Sequence, residues 1–269
     1  MLAARAVFRV RAPQAGRRAK VPERLVRWPA PAGRRFCAAG AGARARRNDY
    51  ELYLVTDDTY LDGLFYEKIA AAVEGGVTCV QLRLKHASTA TLVEWGHRVR
   101  ELTRQAGVPL IIDDRLDVAL ACDADGLHVG GEDLPWRTAR RLLGPSRILG
   151  CSTYGRPDLV REALHPEVRA DYLGSGAIFA TSTKHSSVPK GIEHLPGLRR
   201  LVAEEAAGRT VPIVAIGGVG LAASGECVAA GADGVAAVSA LLGHASAEGT
   251  RQAAAAMLAA VRGAVRPVA

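Results

Sequence analysis

From Asp49 onward the chain alternates short, largely apolar runs with longer stretches of helical period, and that alternation limits the possible folds more than any other feature. The runs are Leu52–Thr56, Cys79–Arg83, Leu110–Ile112, Gly126–Val129, Ile148–Ser152, Tyr172–Ser175, Ile213–Ile216 and Gly234–Val238. They are rich in β-branched residues and do not alternate with polar ones, as befits strands buried on both faces. Amphipathic stretches such as Leu64–Glu74, Leu92–Gln105 and Ala222–Ala230 lie between them. Gly75-Gly76, Gly107 and Gly231 stand where left-handed C-caps would end such helices. Seven βα pairs and a closing helix over Ala247–Val261 make eight parallel units in about 220 residues, the size of a compact (β/α)8 TIM barrel. A doubly wound open sheet is the competing arrangement, but no Gly-x-Gly-x-x-Gly follows the first run.

Charge divides the chain in two. The formal net charge of +8 and pI near 9.6 would suit a nucleic-acid binder if the excess lay on the folded body. It does not: residues 1–48 hold thirteen Lys or Arg against one acid, Glu23, and leave 22 bases and 26 acids for residues 49–269. The sequence therefore predicts a disordered Arg/Ala/Gly/Pro-rich extension over 1–48, a barrel domain over 49–269, and no nucleic-acid partner. Arg5, Arg9 and Arg11 interrupt the one stretch that could act as a secretory signal, and the absence of Ser and Thr from residues 1–48 disfavours an organellar transit peptide. No run of eighteen apolar residues is present, so no membrane-spanning helix is expected. The five cysteines, Cys37, Cys79, Cys122, Cys151 and Cys227, are scattered without a Cys-x-x-Cys pair, which points to a reducing, cytoplasmic setting.

The polar residues that follow the runs are Asp57, Arg83, Asp113, Asp114, Asp133, Ser152, Thr181 and Ser239. In a barrel these positions converge on the C-terminal rim, where active sites are built. Strand alternation puts Gln81, Arg83 and Lys85 on one face, a set suited to a polyanion such as pyrophosphate; solvated charges at a strand end are the plainer reading. Asp114 and Asp133 are the candidate ligands of Mg²⁺, which commonly takes one or two carboxylates with substrate phosphate oxygens. Helix capping is the alternative, with Asp113 or Asp114 at the start of a helix over Arg115–Ala121 and Asp133 ahead of Pro135. Thr181, Ser182, Thr183 and Lys184 can hold phosphate oxygens beneath a closing loop over His185–Gly191. Gly217-Gly218 and Val238-Ser239 occupy the loops that often bind phosphate in such barrels. The seven histidines show no metal-ligand spacing, and His128 is read as barrel filling.

Together these motifs resemble the thiamine-phosphate synthase family over residues 50–262. The matching segments are Tyr53–Asp57, Gly76–Lys85, Ile112–Arg115, Gly126–Pro135, Ser152-Thr153, Ile178–Lys184, Ala215–Gly218 and Gly231–Ser239. The resemblance implies that a pyrimidine pyrophosphate and a thiazole phosphate, or its carboxylated form, are joined with release of pyrophosphate. It implies that Gln81, Arg83, Lys85, Ser152 and Lys184 hold the pyrophosphate substrate, with Leu82, Leu84 and Asp113 also among the substrate-binding residues. It assigns Mg²⁺ to Asp114 and Asp133, and the thiazole phosphate to Thr181, Ser182, Thr183, Gly218, Val238 and Ser239. Arg83, Lys85 and Lys184 carry the catalytic charge, and self-association into a homo-oligomer is implied as well.

Three departures from the family pattern stand out. Asp113 replaces the usual Asn, placing an extra carboxylate beside pyrophosphate, which is tolerable if it binds metal or stays protonated. Gly131 replaces Gln, and Ala177 and Ala180 replace prolines, which leaves the loop less preorganised. A thiazole tautomerase of the same fold, with a histidine around the sixth strand, is the main alternative, but no His occupies Tyr172–Phe179. A non-catalytic thiazole-phosphate-binding barrel is a further alternative.

Overall fold

The computed structural model describes residues 50–181 and 188–266. Residues 1–48 and the predicted phosphate-binding residues Ser182, Thr183 and Lys184 lie outside the described residues. Eight parallel strands close into a barrel in sequence order. They are β1 (Leu52–Val55), β2 (Cys79–Leu82), β3 (Leu110–Asp113), β4 (Gly126–Val129), β5 (Ile148–Ser152), β6 (Tyr172–Ser175), β7 (Ile213–Ile216) and β8 (Gly234–Ala237). The ring is completed by β1 against β8, with Tyr53 opposite Ala236. The open-sheet alternative is thereby excluded.

The helices around the barrel are α1 (Phe65–Glu74), α2 (Thr89–Ala106), α3 (Leu116–Ala121), α4 (Trp136–Leu143), α5 (Pro157–Leu164), α6 (Leu195–Glu205), α7 (Leu221–Ala229), α8 (Ser239–Leu242) and α9 (Ala247–Gly263). Helix α2 begins three residues before the expected start, because the Ser88 hydroxyl caps it by accepting from the Thr91 amide at 3.2 Å. Gly107 adopts the left-handed cap anticipated for it, whereas Gly75 stays right-handed and leaves the positive φ to Gly76. The eighth unit contains the short α8 ahead of α9, an element the hydrophobic pattern had not resolved.

One apolar layer fills the space between barrel and helices, and a smaller one fills the barrel itself. At the N-terminal rim one device recurs. Asp125, Asp171 and Asp233 each accept an amide from the start of a neighbouring strand, those of Leu110, Leu149 and Ile213, at 2.7–2.8 Å. Each of these carboxylates is also paired with an arginine reaching in from a helix: Arg100, Arg140 and Arg199. The N-terminal end is thus tied together by ion pairs, while the opposite rim keeps its charges for other work.

Inside the barrel Tyr53 and Tyr172 are fully buried, and room for them comes from glycine. Register places His128 opposite Gly150 and Gly150 opposite Tyr172. With no side chain at Gly150, the rings of His128 and Tyr172 meet and stack, with centroids 5.4 Å apart. A Cβ at position 150 would come within 2.5 Å of His128 Nδ1 and closer still to the Tyr172 ring. Gly150→Ala is therefore expected to destabilise the fold by about 1–3 kcal/mol through overpacking. Thermal melts should show a drop of several degrees; an unchanged midpoint would mean that the interior is looser than described.

Candidate active site

The C-terminal rim is organised around Arg83. The Thr56 hydroxyl accepts the Arg83 amide at 2.8 Å and donates to its carbonyl at 3.1 Å, locking the backbone just past β2. The Arg83 guanidinium reaches Asp57 at 2.5 Å and lies 3.5 Å from Asp113. Asp58 holds the next segment by accepting the Lys85 and His86 amides at 2.7 and 3.3 Å. Lys85 then meets Asp113 at 3.3 Å and forms a close ion pair with Asp114. The alternation expected for Gln81, Arg83 and Lys85 is present, since all three take part in contacts at the interior or mouth. Leu82 and Leu84 point the other way, into the layer beneath the helices. Their side chains are therefore not part of a ligand surface, and only their backbone atoms can belong to one.

None of Asp113, Asp114 and Asp133 caps a helix. The cap of α3 is Arg115, with no side-chain bond, and that of α4 is Pro135, also without one. Asp114 instead takes a left-handed backbone (φ 58°) and donates its amide to the His128 carbonyl at 2.8 Å, tying the end of β3 to β4. Asp133 accepts the Gly130 amide at 2.8 Å, and this bond sets the turn after β4. Gly131 has open space where a side chain would project, so the turn does not require glycine there.

The mouth holds more carboxylates than cations among its described residues: Asp57, Asp113, Asp114 and Asp133 against Arg83 and Lys85. Burial pushes the Asp113 carboxyl up, and Lys85 and Arg83 only partly offset that. Burial also raises Asp133, assisted by the neighbouring Asp114 carboxylate. At Asp57 burial acts in the same sense but is outweighed by hydrogen bonds from Thr59 and by Arg83, leaving that carboxyl below its ordinary range. Burial would lower Lys85, yet Asp113 and Asp114 hold its ammonium charged. Two adjacent oxygen donors with surplus negative charge, Asp114 and Asp133, fit a hard divalent cation such as Mg²⁺. No group of three or more His, Cys, Asp or Glu with metal-holding geometry occurs among the described residues.

On the other side of the mouth, loops 6 and 7 are joined. Ile178 and Phe179 donate their amides to Ile216 and Gly217 at 2.9 Å, and Lys190 and Gly191 return to Ala177 and Ile178 at 2.9 and 3.0 Å. The approach demands the Gly217-Gly218 pair: both have positive φ, and a Cβ on Gly218 would lie 2.6 Å from the Ala180 carbonyl. Val238 and Ser239 follow β8 at the start of α8. The far end of α8 is held by buried Lys68, which donates to the Leu242 carbonyl at 3.3 Å and to Asp62 at 2.6 Å.

Three features were not anticipated from the sequence. His128 is no inert filler: its Nδ1 lies 2.8 Å from the Tyr172 hydroxyl and its Nε2 2.8 Å from Ser152 Oγ. Asp57 serves as the main anchor of Arg83. A histidine does reach β6, since His194 Nε2 lies 2.7 Å from Ser175 Oγ while its Nδ1 bonds the Gly191 carbonyl at 2.7 Å. Arg115 turns away from the mouth toward Asp117 and Thr89.

Because the Asp113 pKa is raised on folding, its contribution is neutral below about pH 4, near the unfolded value. It becomes destabilising as pH rises through the folded value. Asp113→Asn should therefore melt higher than the parent at neutral pH, with the gap closing toward acid. A gap of opposite sign would mean that the ion pairs with Arg83 and Lys85 outweigh burial.

A family profile described as "Thiamine monophosphate synthase" matches residues 52–241. The chain is 48% identical over 198 residues to the thiamine-phosphate synthase of Chloroflexus aurantiacus, covering 72% of this chain and 86% of that protein. It is 49% identical over 181 residues to the one from Moorella thermoacetica, covering 66% and 81%. Among solved structures, thiamine phosphate pyrophosphorylase from Pyrococcus furiosus superposes with a TM-score of 0.68 at 35% identity, over 80% of this chain and 97% of that one.

Proposed function

This chain belongs to the thiamine monophosphate synthase family and is an enzyme of that kind, and from that premise we propose how its barrel mouth carries out the coupling. The observation that carries the reading is the convergence of Arg83, Lys85, Asp113, Asp114, Asp133 and Ser152 on one rim, opposite the joined loops 6 and 7. The two substrates are 4-amino-2-methyl-5-hydroxymethylpyrimidine pyrophosphate and 4-methyl-5-(2-phosphoethyl)thiazole, or the carboxylated thiazole. Gln81, Arg83, Lys85 and Ser152 bind the first, together with Lys184. Gly218, Val238 and Ser239 bind the phosphate of the second, with Thr181, Ser182 and Thr183.

The pyrimidine–CH₂–O bond ionises, pyrophosphate leaves with the electron pair, and the thiazole nitrogen donates its lone pair to the carbon. Such a reaction needs neutralised leaving-group charge and two aligned substrates, and no strong base. Arg83 and Lys85 meet the first need, being held in place by Asp57 and Asp58 before any substrate arrives. Mg²⁺ held by Asp114 and Asp133 would supply further neutralisation of pyrophosphate oxygens. On this reading Lys85 exchanges its carboxylate partners for the anion when metal and substrate enter together. An Asp113 that takes up a proton as the pyrophosphate binds would not repel the anion, and its burial favours the neutral form. His194 is bonded through both nitrogens, which supports a strut rather than an acid or base. Residues 49–269 are proposed as the complete catalytic unit, acting in the cytoplasm as a homo-oligomer. No helix among the described residues is long and apolar enough to cross a membrane.

The test is a coupled assay following thiamine phosphate and pyrophosphate together, with Mg²⁺ and with chelator. Both products should form in equal amounts, only with metal, and a chain starting at residue 49 should retain the kcat/KM of the full sequence. Asp114→Ala and Asp133→Ala should each lose most activity at limiting Mg²⁺, with thiazole-phosphate affinity little changed. Parental activity in both variants across a Mg²⁺ titration would refute the metal assignment.

A further inference from the structure

A file of hydrogen-bonded side chains crosses the barrel interior, and its order dictates where each proton sits. The Gln81 amide nitrogen donates to the Tyr53 hydroxyl at 3.1 Å. Tyr53 and Tyr172 share a hydrogen bond at 2.8 Å. Tyr172 lies 2.8 Å from His128 Nδ1, and His128 Nε2 lies 2.8 Å from Ser152 Oγ. Gln81, Tyr53 and Tyr172 are all at most 4% exposed, and Ser152, half-buried, ends the file at the mouth.

Each hydroxyl has a single proton, so the first donor settles the rest. An amide N–H can only donate. Tyr53 therefore accepts from Gln81, and its own buried proton has, among the described residues, only the Tyr172 oxygen within hydrogen-bond reach, so it donates there. Tyr172 must then pass its proton to His128 Nδ1, which accepts. The neutral imidazole is left with its proton on Nε2, which donates to Ser152 Oγ. The Ser152 hydroxyl hydrogen, excluded from the file, is free to point at a ligand. Burial raises both tyrosines well above their ordinary range, so each keeps the proton that this sequence requires.

We propose that Tyr53 and Tyr172 are positioning residues that act through His128 to make the Ser152 hydroxyl an obligate donor toward the departing pyrophosphate. The inference rests on the reading that Ser152 contacts that anion. A reversed file would make Ser152 spend its proton on Nε2 and present only lone pairs to a polyanion, which repels them. Gly150 is the structural condition for the device, because only a residue without Cβ lets His128 meet Tyr172.

The direction can be read without an activity assay. Histidine ¹⁵N-labelled full-length protein at about pH 8, where imidazole is neutral, gives the tautomer from its one-bond and long-range ¹H–¹⁵N couplings. The His128 signal is identified by its loss in His128→Gln and, independently, by its displacement in Ser152→Ala. The expected result is a protonated Nε2 and an acceptor Nδ1. A protonated Nδ1 would mean the file runs backwards and would overturn the proposal.

In Tyr172→Phe the tautomer preference should relax, and inhibition by inorganic pyrophosphate should weaken roughly tenfold, as for one hydrogen bond to a charged group. KM for the thiazole phosphate should stay near its parental value. Tyr53→Phe, which breaks the file one step earlier, should move both readouts in the same direction. A relaxed tautomer with parental pyrophosphate inhibition in both variants would overturn the positioning role. Failure of the underlying reading looks different: Ser152→Ala would then leave pyrophosphate inhibition unchanged while His128 still carried its proton on Nε2.

Discussion

The pairing of β1 with β8, Leu52 against Val235 through Leu54 against Ala237, is the constraint on which the rest of this molecule depends. Parallel strands joined in order leave two unpaired edges until that ladder forms. Once it does, every strand points its C-terminal end at the same mouth, and residues as distant in sequence as Asp57 and Ser239 share a rim. The two ends of the barrel then diverge in use. At the N-terminal rim three aspartates spend their charge on strand amides and helix arginines. At the C-terminal rim the described cations, Arg83 and Lys85, are shared among Asp57, Asp113 and Asp114, with Asp133 beside them, so negative charge is in excess among the described residues.

This imbalance leaves a half-buried cluster of like charges incompletely neutralised. Taking Asp113 out of water is unfavourable, and Arg83 and Lys85 offset the loss incompletely. The rim is therefore poised toward ligands rather than closed upon itself. Preorganisation comes from groups one step removed: Thr56 and Asp58 hold the backbone of the Arg83–Lys85 segment, Gly130 fixes Asp133, and the His128 carbonyl fixes Asp114. Arg83 thus has its geometry set in advance of any ligand, which is where oriented charges are most effective.

The departures from the family pattern acquire separate meanings in three dimensions. Gly131 sits where a side chain would meet open space, so the loss of an amide there removes a possible contact without loosening the turn. Ala177 and Ala180 lie in a loop whose two limbs are bonded to each other and to loop 7, a constraint that does not depend on proline. Asp113 is the departure with electrostatic consequence, because it alone adds charge at the centre of the mouth.

Sequence by itself determined the alternation of strands and helices, and with it the strand ends on which Arg83, Lys85, Asp114, Asp133 and Ser152 fall. Hydrophobic period and Gly placement are local properties, legible without knowing what touches what. It also separated a basic extension from an acidic body. Closure could not be read, because a β1–β8 ladder spans some 180 residues and leaves no local mark in either strand. The facing of Leu82 and Leu84 away from the mouth, and the short α8, likewise waited on packing. Above all, only the tertiary structure decided that His128 is a link and not filler. Its partners come from β5 and β6, and they reach it because Gly150 leaves a gap between them that register alone brings opposite both rings.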